Sequence, residues 1–217
     1  MNKGIILLSG GLDSLVSLGL GIEKYGIKLA LTFDYGQKSA KDEIEASRKI
    51  CEFYGIEHKV IKLDWLQDIT HTALVSDDEL PLTMDENSAK SVWVPNRNGL
   101  FLNIAGSFAD GEDYDYIMIG ANKEEAGTFS DNTQEFIDRV NAEFEFSTQK
   151  KPKVVAPLIN FDKNDIVKLA FENNIPLELV KSCYAGGEKH CGKCESCKRL
   201  RNALIANNDT HYIKELF

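Results

Sequence analysis

Hydrophobic residues in this chain fall in short apolar runs separated by longer stretches of mixed polarity. Ile5-Ile6-Leu7-Leu8 is apolar at every position, as expected of a central parallel strand buried on both faces. A helical pattern follows to about Tyr25, where Gly26 stops it. A second strand is predicted at about 28–33. A charged amphipathic helix then spans roughly 39–54, with Ile44, Ile50 and Phe53 on its inner face, and a third strand spans 58–63. This βαβαβ order implies parallel strands joined by right-handed crossovers. Further strands are expected at Tyr116–Gly120 and Val154–Ile159, and further helices at about 99–109, through about Glu145, and at about 163–173. The predicted fold is α/β, an open and mostly parallel five-stranded sheet with helices on both faces. Between about Leu66 and Pro95 the pattern dissolves into polar residues around Asp77-Asp78-Glu79 and Pro81, which predicts a mobile flap.

Chemistry concentrates where strands end. Ser9-Gly10-Gly11-Leu12-Asp13-Ser14 joins the first strand to the first helix. Such a junction aims backbone N–H groups and the positive end of the helix dipole at one point, which suits an anion. Gly10 and Gly11 are expected to take φ > 0 and approach phosphate closely, and Ser9 and Ser14 add hydroxyl donors. Asp13 would bind a divalent cation or cap the helix; an ordinary turn capped by Asp13 or Ser14 is the plainer alternative. The spacing matches neither the dinucleotide fingerprint nor the Walker A loop. Asp34-Tyr35-Gly36-Gln37 and Ala121-Asn122-Lys123-Glu124-Glu125 end other strands and should face the same crevice. Pro95 fixes the entry to a helix that Asn98 is placed to cap, and Arg97 offers a planar fork for phosphate or carboxylate. Asp131, Asn132 or Thr133 would cap the next helix. Lys163, after the expected N-cap Asp162, either points to solvent or meets pyrophosphate.

With 217 residues the chain is one domain, or one domain with a small appendix. No apolar run approaches the roughly 18 residues that span a bilayer, and Met1-Asn2-Lys3 enters the first strand at once, so neither signal peptide nor anchor is expected and the location should be cytoplasmic. A net charge of −9 weighs against stable nucleic-acid binding while leaving nucleotides open as ligands. His58 is expected to be solvated and His71 incidental.

Of five cysteines, Cys51 falls in a helical pattern and should be core. Cys183, Cys191, Cys194 and Cys197 form a C-x7-C-x2-C-x2-C cluster, the donor set of a closed structural Zn²⁺ site whose excess negative charge nearby lysines and arginines would offset. An iron–sulfur cluster is disfavoured because Cys197 is followed by Lys198 rather than proline, and a redox dithiol is a third reading. His190 is a spare ligand candidate.

The glycine loop by itself resembles the pyrophosphate (PP) loop of the N-type ATP pyrophosphatases. Together with Asp34-Tyr-Gly-Gln37, Val94-Pro-Asn-Arg-Asn98 and the cysteine run from Ser182 to Cys197, it resembles the 7-cyano-7-deazaguanine synthase (QueC) family over nearly the whole chain. That resemblance implies a ligase joining 7-carboxy-7-deazaguanine and ammonia at the expense of ATP, through an adenylated acid and an adenylated amide, to a nitrile on the route to queuosine or archaeosine. It implies ATP at Leu8, Ser9, Gly10, Gly11, Leu12, Asp13, Ser14, Phe33 and Tyr35, with Mg²⁺ at the phosphates. It places the acceptor near Gln37, Arg97, Asn122, Glu125, Phe129 and Asp131, catalysis on Asp13, Arg97 and Lys163, and Zn²⁺ on the four cysteines. Residues 1–180 would form the ATP pyrophosphatase domain and 181–217 a zinc element packed on it; a homodimer is plausible on the same ground. The sequence departs from the family at Lys38-Ser39, where a basic pair is usual, and at Glu125–Asn132, which bears on the acceptor pocket. Two alternatives stand beside this reading: a related pyrophosphatase adenylating a tRNA base or another small carboxylate, and a nucleotide-binding module without turnover.

Overall fold

A computed structural model describes residues 2–76, 78–80 and 91–217. The predicted flap falls partly outside them, including Asp77 and Pro81. The described part of that stretch is not all surface: Thr70, Thr72, Ala73 and Leu74 are buried, and Ala73 N–H donates to the Ser91 carbonyl at 2.8 Å.

Five parallel strands, β1 (Gly4–Leu7), β2 (Ile27–Asp34), β3 (Glu57–Lys62), β4 (Tyr116–Met118) and β5 (Lys153–Val155), lie in the order β3-β2-β1-β4-β5. Alternation along β1 divides the core into two layers. Ile5 and Leu7 face α4 (Arg97–Glu112) and α6 (Gln134–Ser147) through Leu102, Ala105, Ile137 and Phe144. Ile6 and Leu8 face the other layer, built from α1 (Leu12–Tyr25), α2 (Ala40–Tyr54), α7 (Lys163–Glu172), α8 (Glu195–Ala206) and α9 (His211–Leu216). Leu200, Leu204 and Leu216 from the end of the chain therefore share a core with Leu15, Val16 and Ile166. Two short helices, α3 (Asp64–Asp68) and α5 (Lys123–Ala126), and 3₁₀ turns at Ser130–Asn132 and Leu177–Leu179 complete the described elements.

Several expectations need correction. On α2 the inner face is Ala46, Ser47, Ile50 and Cys51, whereas Phe53, in the helix's last turn at the edge of that stripe, is 60% exposed. The fifth strand stops at Val155, short of Pro157, which has no N–H to continue a ladder. Helix α4 begins at Arg97, two residues before its predicted start, and its N-cap is Asn96 at φ 50°, not Asn98. Thr133 caps α6 by accepting from Phe136 N–H, which leaves Asp131 free for another role. His58 is half-buried, with Nε2 2.8 Å from Thr32 Oγ1, rather than solvated.

Candidate active site

The strand order reverses between β1 and β4, which makes a crevice at their carboxyl ends. The glycine loop fills one wall of it. Gly10 has φ 74°, and a Cβ there would come within 2.7 Å of Ala46 Cβ, so this glycine permits both the turn and the approach of α2. Gly11 differs from expectation: it is the N-cap of α1 with φ −76°, and an added Cβ would meet only the Ser9 and Ser182 hydroxyls in ordinary contact. Gly11 has no side chain to cap α1, and among the described residues only Ser182 Oγ, which accepts from Leu12 N–H at 3.3 Å, covers its start. Asp13 and Ser14 lie inside the first turn, where Ser14 Oγ donates to Gly11 O at 3.0 Å, so a turn capped by either residue is ruled out. A helix start whose N-cap residue supplies no cap of its own, facing a cavity, is an arrangement that accepts an anion.

That cavity, of about 240 Å³, is lined by Leu8, Ser9, Gly11, Leu12, Asp13 and Ser14 from the loop, and by Phe33, Tyr35, Arg97, Glu125 and Lys163 from other elements. Three tethers bring the charged groups together. Asn122 accepts from the N–H groups of Glu124 and Glu125 and so orients α5. Lys123 N–H donates to Phe161 O at 3.1 Å and Lys163 N–H to Glu124 Oε2 at 3.1 Å, which docks α5 on the start of α7. Asn98 Nδ2 donates to Asp131 O at 3.3 Å and holds the 3₁₀ turn against the start of α4.

Lys163 Nζ is thereby 2.5 Å from Asp13 Oδ2 and 3.1 Å from Glu125 Oε1. Burial opposes its charge, but the two carboxylates outweigh burial and raise its pKa. Burial works against the Glu125 carboxylate as well, and there the Lys163 ammonium prevails and holds the group below its usual range. Burial raises Asp13, whose Oδ1 is buried and accepts no hydrogen bond among the described residues. Beside this triad the Arg97 guanidinium meets the Tyr35 hydroxyl, with Asp131 and Glu125 close enough to hold its charge. The Tyr35 hydroxyl is itself pushed up by burial.

A second cavity, of about 60 Å³, adjoins the first: Arg97, Glu125 and Tyr184 line both. Its other walls include Phe129, Asp131, Trp93, Glu195 and Arg199. Trp93 and Phe129 stack at 6.0 Å between ring centroids.

Of the residues singled out in the sequence, Gly10, Gln37 and Asn122 line neither cavity. The Gln37 amide is spent on the loop it belongs to: it donates to Phe33 O and Glu43 Oε2 and accepts from Tyr35 N–H. Sequence reasoning missed Glu43, Lys181, Ser182, Tyr184, Glu195, Ser196 and Arg199. Lys181 N–H donates to Gly10 O at 2.8 Å, and Leu12 N–H donates to Ser182 Oγ at 3.3 Å, so the stretch before the cysteines is part of the loop's wall. For all of them but Glu43, which lies on α2, the one available signal was position, since they flank or interrupt the cysteine cluster.

The ligating atoms of Cys183, Cys191, Cys194 and Cys197 lie within 4.8 Å of one another, and this group could hold a metal ion. Cys191 Sγ and Cys197 Sγ are 3.8 Å apart, close to the tetrahedral edge of about 3.8 Å implied by metal–sulfur bonds of about 2.3 Å. The N–H groups of Lys193 and Cys194 point at Cys191 Sγ and suit a thiolate. His190 is not part of the set: its Nε2 accepts from Ser182 N–H at 3.0 Å, which leaves the proton on Nδ1, facing Leu216 O.

A parallel 3-2-1-4-5 sheet with a Ser-Gly-Gly-x-Asp-Ser loop at its switch point defines an α/β protein of the PP-loop class. The model of the family described as queuosine biosynthesis protein QueC matches residues 3–208, and the chain belongs to that family. A 7-cyano-7-deazaguanine synthase of Methanosarcina mazei is 53% identical, the alignment covering 93% of each chain. One of Carboxydothermus hydrogenoformans is 49% identical over 95% of this chain and 100% of that one. Among solved structures, a 4-thiouridine synthetase–RNA complex with bound ATP shares the fold at a TM-score of 0.54 and 20% identity, covering 95% of this chain and 52% of that one. A predicted subunit of tRNA methyltransferase from Methanocaldococcus jannaschii aligns at a TM-score of 0.50 and 16% identity, over 100% and 92% of the two chains. These two likenesses speak to fold alone. No helix among the described residues is long and apolar enough to cross a membrane.

Proposed function

We propose that this chain converts 7-carboxy-7-deazaguanine and ammonia into 7-cyano-7-deazaguanine at the expense of two ATP, the synthase activity named for its relatives. One observation carries the reading: the cavity over the glycine loop and the smaller aromatic-lined cavity share Arg97, Glu125 and Tyr184, so two substrates can meet across one shared wall. A carboxylate is a poor electrophile and an amide a worse one. Each becomes reactive when its oxygen attacks the α-phosphate of ATP and leaves later as AMP. In the first half, pyrophosphate departs, ammonia adds to the acyl carbon, and AMP and a proton leave to give the amide. In the second, the amide oxygen takes AMP from another ATP, and loss of AMP and a proton leaves the nitrile. No protein nucleophile is needed; positioning and charge neutralisation supply the catalysis.

In this reading Leu8, Ser9, Gly10, Gly11, Leu12, Asp13 and Ser14 hold or shape the triphosphate site, and Phe33 and Tyr35 flank the nucleotide. Lys163 and Arg97 take the charge that builds on the phosphate and the acceptor carboxylate. Phe129, Asp131, Glu125 and Asn122 shape the acceptor pocket, while Gln37 fixes the loop beneath Tyr35. The unpaired Asp13 Oδ1 fits a Mg²⁺ carried by the triphosphate, which would neutralise the leaving pyrophosphate. The four cysteines fit Zn²⁺ in a closed, structural role that needs no open coordination position. A cytoplasmic homodimer is the assembly expected by family likeness.

Incubation of the protein with ATP, Mg²⁺, ammonium and 7-carboxy-7-deazaguanine, followed by mass spectrometry, tests this. The expected result is the nitrile with two AMP and two pyrophosphate per product. Pyrophosphate released only with another carboxylate or with tRNA would retain the ATP site and overturn the acceptor; ATP bound with no turnover of any acceptor would leave a binding module.

A further inference from the structure

We propose that the Glu43 carboxylate is the site where ammonium binds and gives up the proton that turns it into a nucleophile. The proposal rests on the reading above that ammonia is the nitrogen donor. Glu43 stands in the first turn of α2, three and four residues before Ala46 and Ser47, and so continues the inner face of that helix. It is partly exposed and lines the larger cavity. Two neutral donors orient it: Ser39 Oγ donates to Oε1 at 2.6 Å and Gln37 Nε2 to Oε2 at 3.0 Å. A carboxylate has about four lone-pair directions, so these bonds leave it able to accept from a ligand. No lysine, arginine or histidine among the described residues forms an ion pair with it. The helix start does not account for it either, since Asp42 already places a carboxylate in that turn and accepts from Gly187 N–H at 2.7 Å.

The other two carboxylates lining this cavity, Asp13 and Glu125, are both paired with Lys163. Glu43 is left as the wall's carboxylate without a cation of its own. Burial raises its pKa, helped by Asp34 at the end of β2; the Ser39 and Gln37 hydrogen bonds and the more distant Arg97 charge from α4 offset only part of this. A carboxylate made more basic is better suited to accept a proton near neutral pH. Its place is also right. Gln37 links it to Tyr35, whose N–H donates to Gln37 Oε1 and whose hydroxyl meets Arg97, the group assigned to the acceptor carboxylate. On the other side, a Cβ on Gly10 would lie 3.2 Å from Glu43 O, so the residue abuts the glycine loop as well. Ammonium is the size of a water molecule and needs only a corner of the cavity. It has no lone pair and cannot attack. One proton passes to Glu43, the freed electron pair forms the C–N bond at the acyl carbon of the adenylate, and the carbonyl π pair moves onto oxygen. As that pair returns, the C–O bond to phosphate breaks and AMP leaves with its electrons. The nitrogen loses a second proton to solvent, and Glu43 then releases the first.

The test compares wild type with Glu43→Gln in three reactions. Exchange of labelled pyrophosphate into ATP, dependent on 7-carboxy-7-deazaguanine and run without ammonium, reports adenylation alone and should fall by less than about threefold. The kcat/KM for ammonium, read as amide plus nitrile, should fall by about a hundredfold or more, the scale of general-base catalysis. Hydroxylamine is a weaker base, already neutral at neutral pH, and forms the hydroxamate without that first deprotonation. Its kcat/KM should fall by less than about tenfold. Should Glu43→Gln fail to fold, Glu43→Asp, which draws the carboxylate back by one methylene, should lose at least about tenfold more rate with ammonium than with hydroxylamine. A variant that keeps the full ammonium rate, loses both nucleophiles equally, or loses exchange as far as it loses amide would overturn the proposal. Wild type without acceptor-dependent exchange would overturn the proposed activity and this inference with it. Wild type that exchanges but makes no amide from ammonium would keep the ATP and acceptor sites and overturn the ammonium site.

Discussion

The glycine loop is braced from two sides, and the braces are built differently. On the sheet side, Leu8 O accepts from Thr32 Oγ1 at 2.7 Å and from Ser47 Oγ at 3.2 Å, and Thr32 Oγ1 also meets His58 Nε2 at 2.8 Å. A hydroxyl has one proton, here spent on Leu8 O, so His58 Nε2 is the donor in that contact. All these groups stand on β1, β2, β3 and α2, which the parallel ladder already aligns. On the tail side, Lys181 N–H and Ser182 Oγ hold Gly10 O and Leu12 N–H, and Ser182 N–H is in turn held by His190. Nothing in the sheet fixes that second brace. Ser182 and His190 each precede a cysteine of the cluster by one residue, so the brace leans on the cluster as well as on the buried Val180 and Leu216 at its flanks. One side of the glycine loop is secured by the sheet and the other leans on the cysteine cluster and the helices that follow it.

Breaking the tail brace should have the largest effect. If the four cysteines hold a metal, stripping it with a chelator, or substituting Cys194→Ser, removes a cluster of a kind whose binding energy reaches about 10 kcal/mol in small zinc domains. Thermal stability and ATP affinity should fall together, with ATP affinity lowered by more than about tenfold, since charge-assisted contacts to the loop's anion are lost. Thr32→Val on the opposite brace should change ATP affinity by less than about threefold, as one neutral hydrogen bond among several. Calorimetric ATP titration of both proteins makes the comparison; ATP affinity that survives metal removal would mean that the tail brace does not support the site.

The two glycines sharpen the same contrast by a smaller amount. Gly10→Ala places a Cβ 2.7 Å from Ala46 Cβ at a φ of 74°, and left-handed backbone alone costs a non-glycine residue about 1–2 kcal/mol. It should lower stability by about 2–4 kcal/mol once the contact strain is added. Gly11→Ala meets no such contact and should cost stability less than about 1 kcal/mol, since its φ is ordinary. Its methyl group would lie by Ser9 and Ser182 on the cavity wall, so it should weaken ATP more than it weakens the fold. Urea unfolding read beside ATP titration separates the two; equal loss of stability in both variants would refute the assignment of the turn to Gly10.

The legible half of the site was the half built from neighbours in sequence. The apolar run of β1, the loop and the helix after it are one continuous signal, and Gly26 ends that helix as expected, in the left-handed conformation that Gly55 repeats at the end of α2. Lys163 was legible as an oddity, a cation at a helix start, and it sits between Asp13 and Glu125. Glu195, Tyr184 and Ser182 were hidden because a cysteine cluster reads as a separate knuckle, and no periodicity tells which wall its intervening residues face. Phe53 misled for another reason: at the edge of the stripe and in the last turn of its helix, an apolar residue can keep the right phase and still stay exposed. Asn98 did so too, because a residue that suits a cap is equally good at holding a neighbouring turn.

The smallest effect probes the sheet brace through pH. His58 is half-buried, and burial, followed by the nearby Arg48 charge, holds its pKa below the ordinary 6.5. The folded chain thus favours the neutral ring, while the unfolded chain takes up a proton near 6.5. Above that pH the two states bind equal numbers of protons at this site and its contribution to stability is fully present. As pH falls below 6.5 toward the folded value, the unfolded state binds more, and the contribution is lost. His58→Asn keeps a donor toward Thr32 but does not titrate. The fall in Tm from pH 7.5 to 5.5 should therefore be steeper in wild type, by about 2 °C or less given how strongly solvent screens a half-exposed ring. Parallel melts at the two pH values measure the difference directly. A variant as steep as wild type would show that the loop's sheet brace is insensitive to this proton, leaving the Thr32 and Ser47 hydroxyls as its whole support.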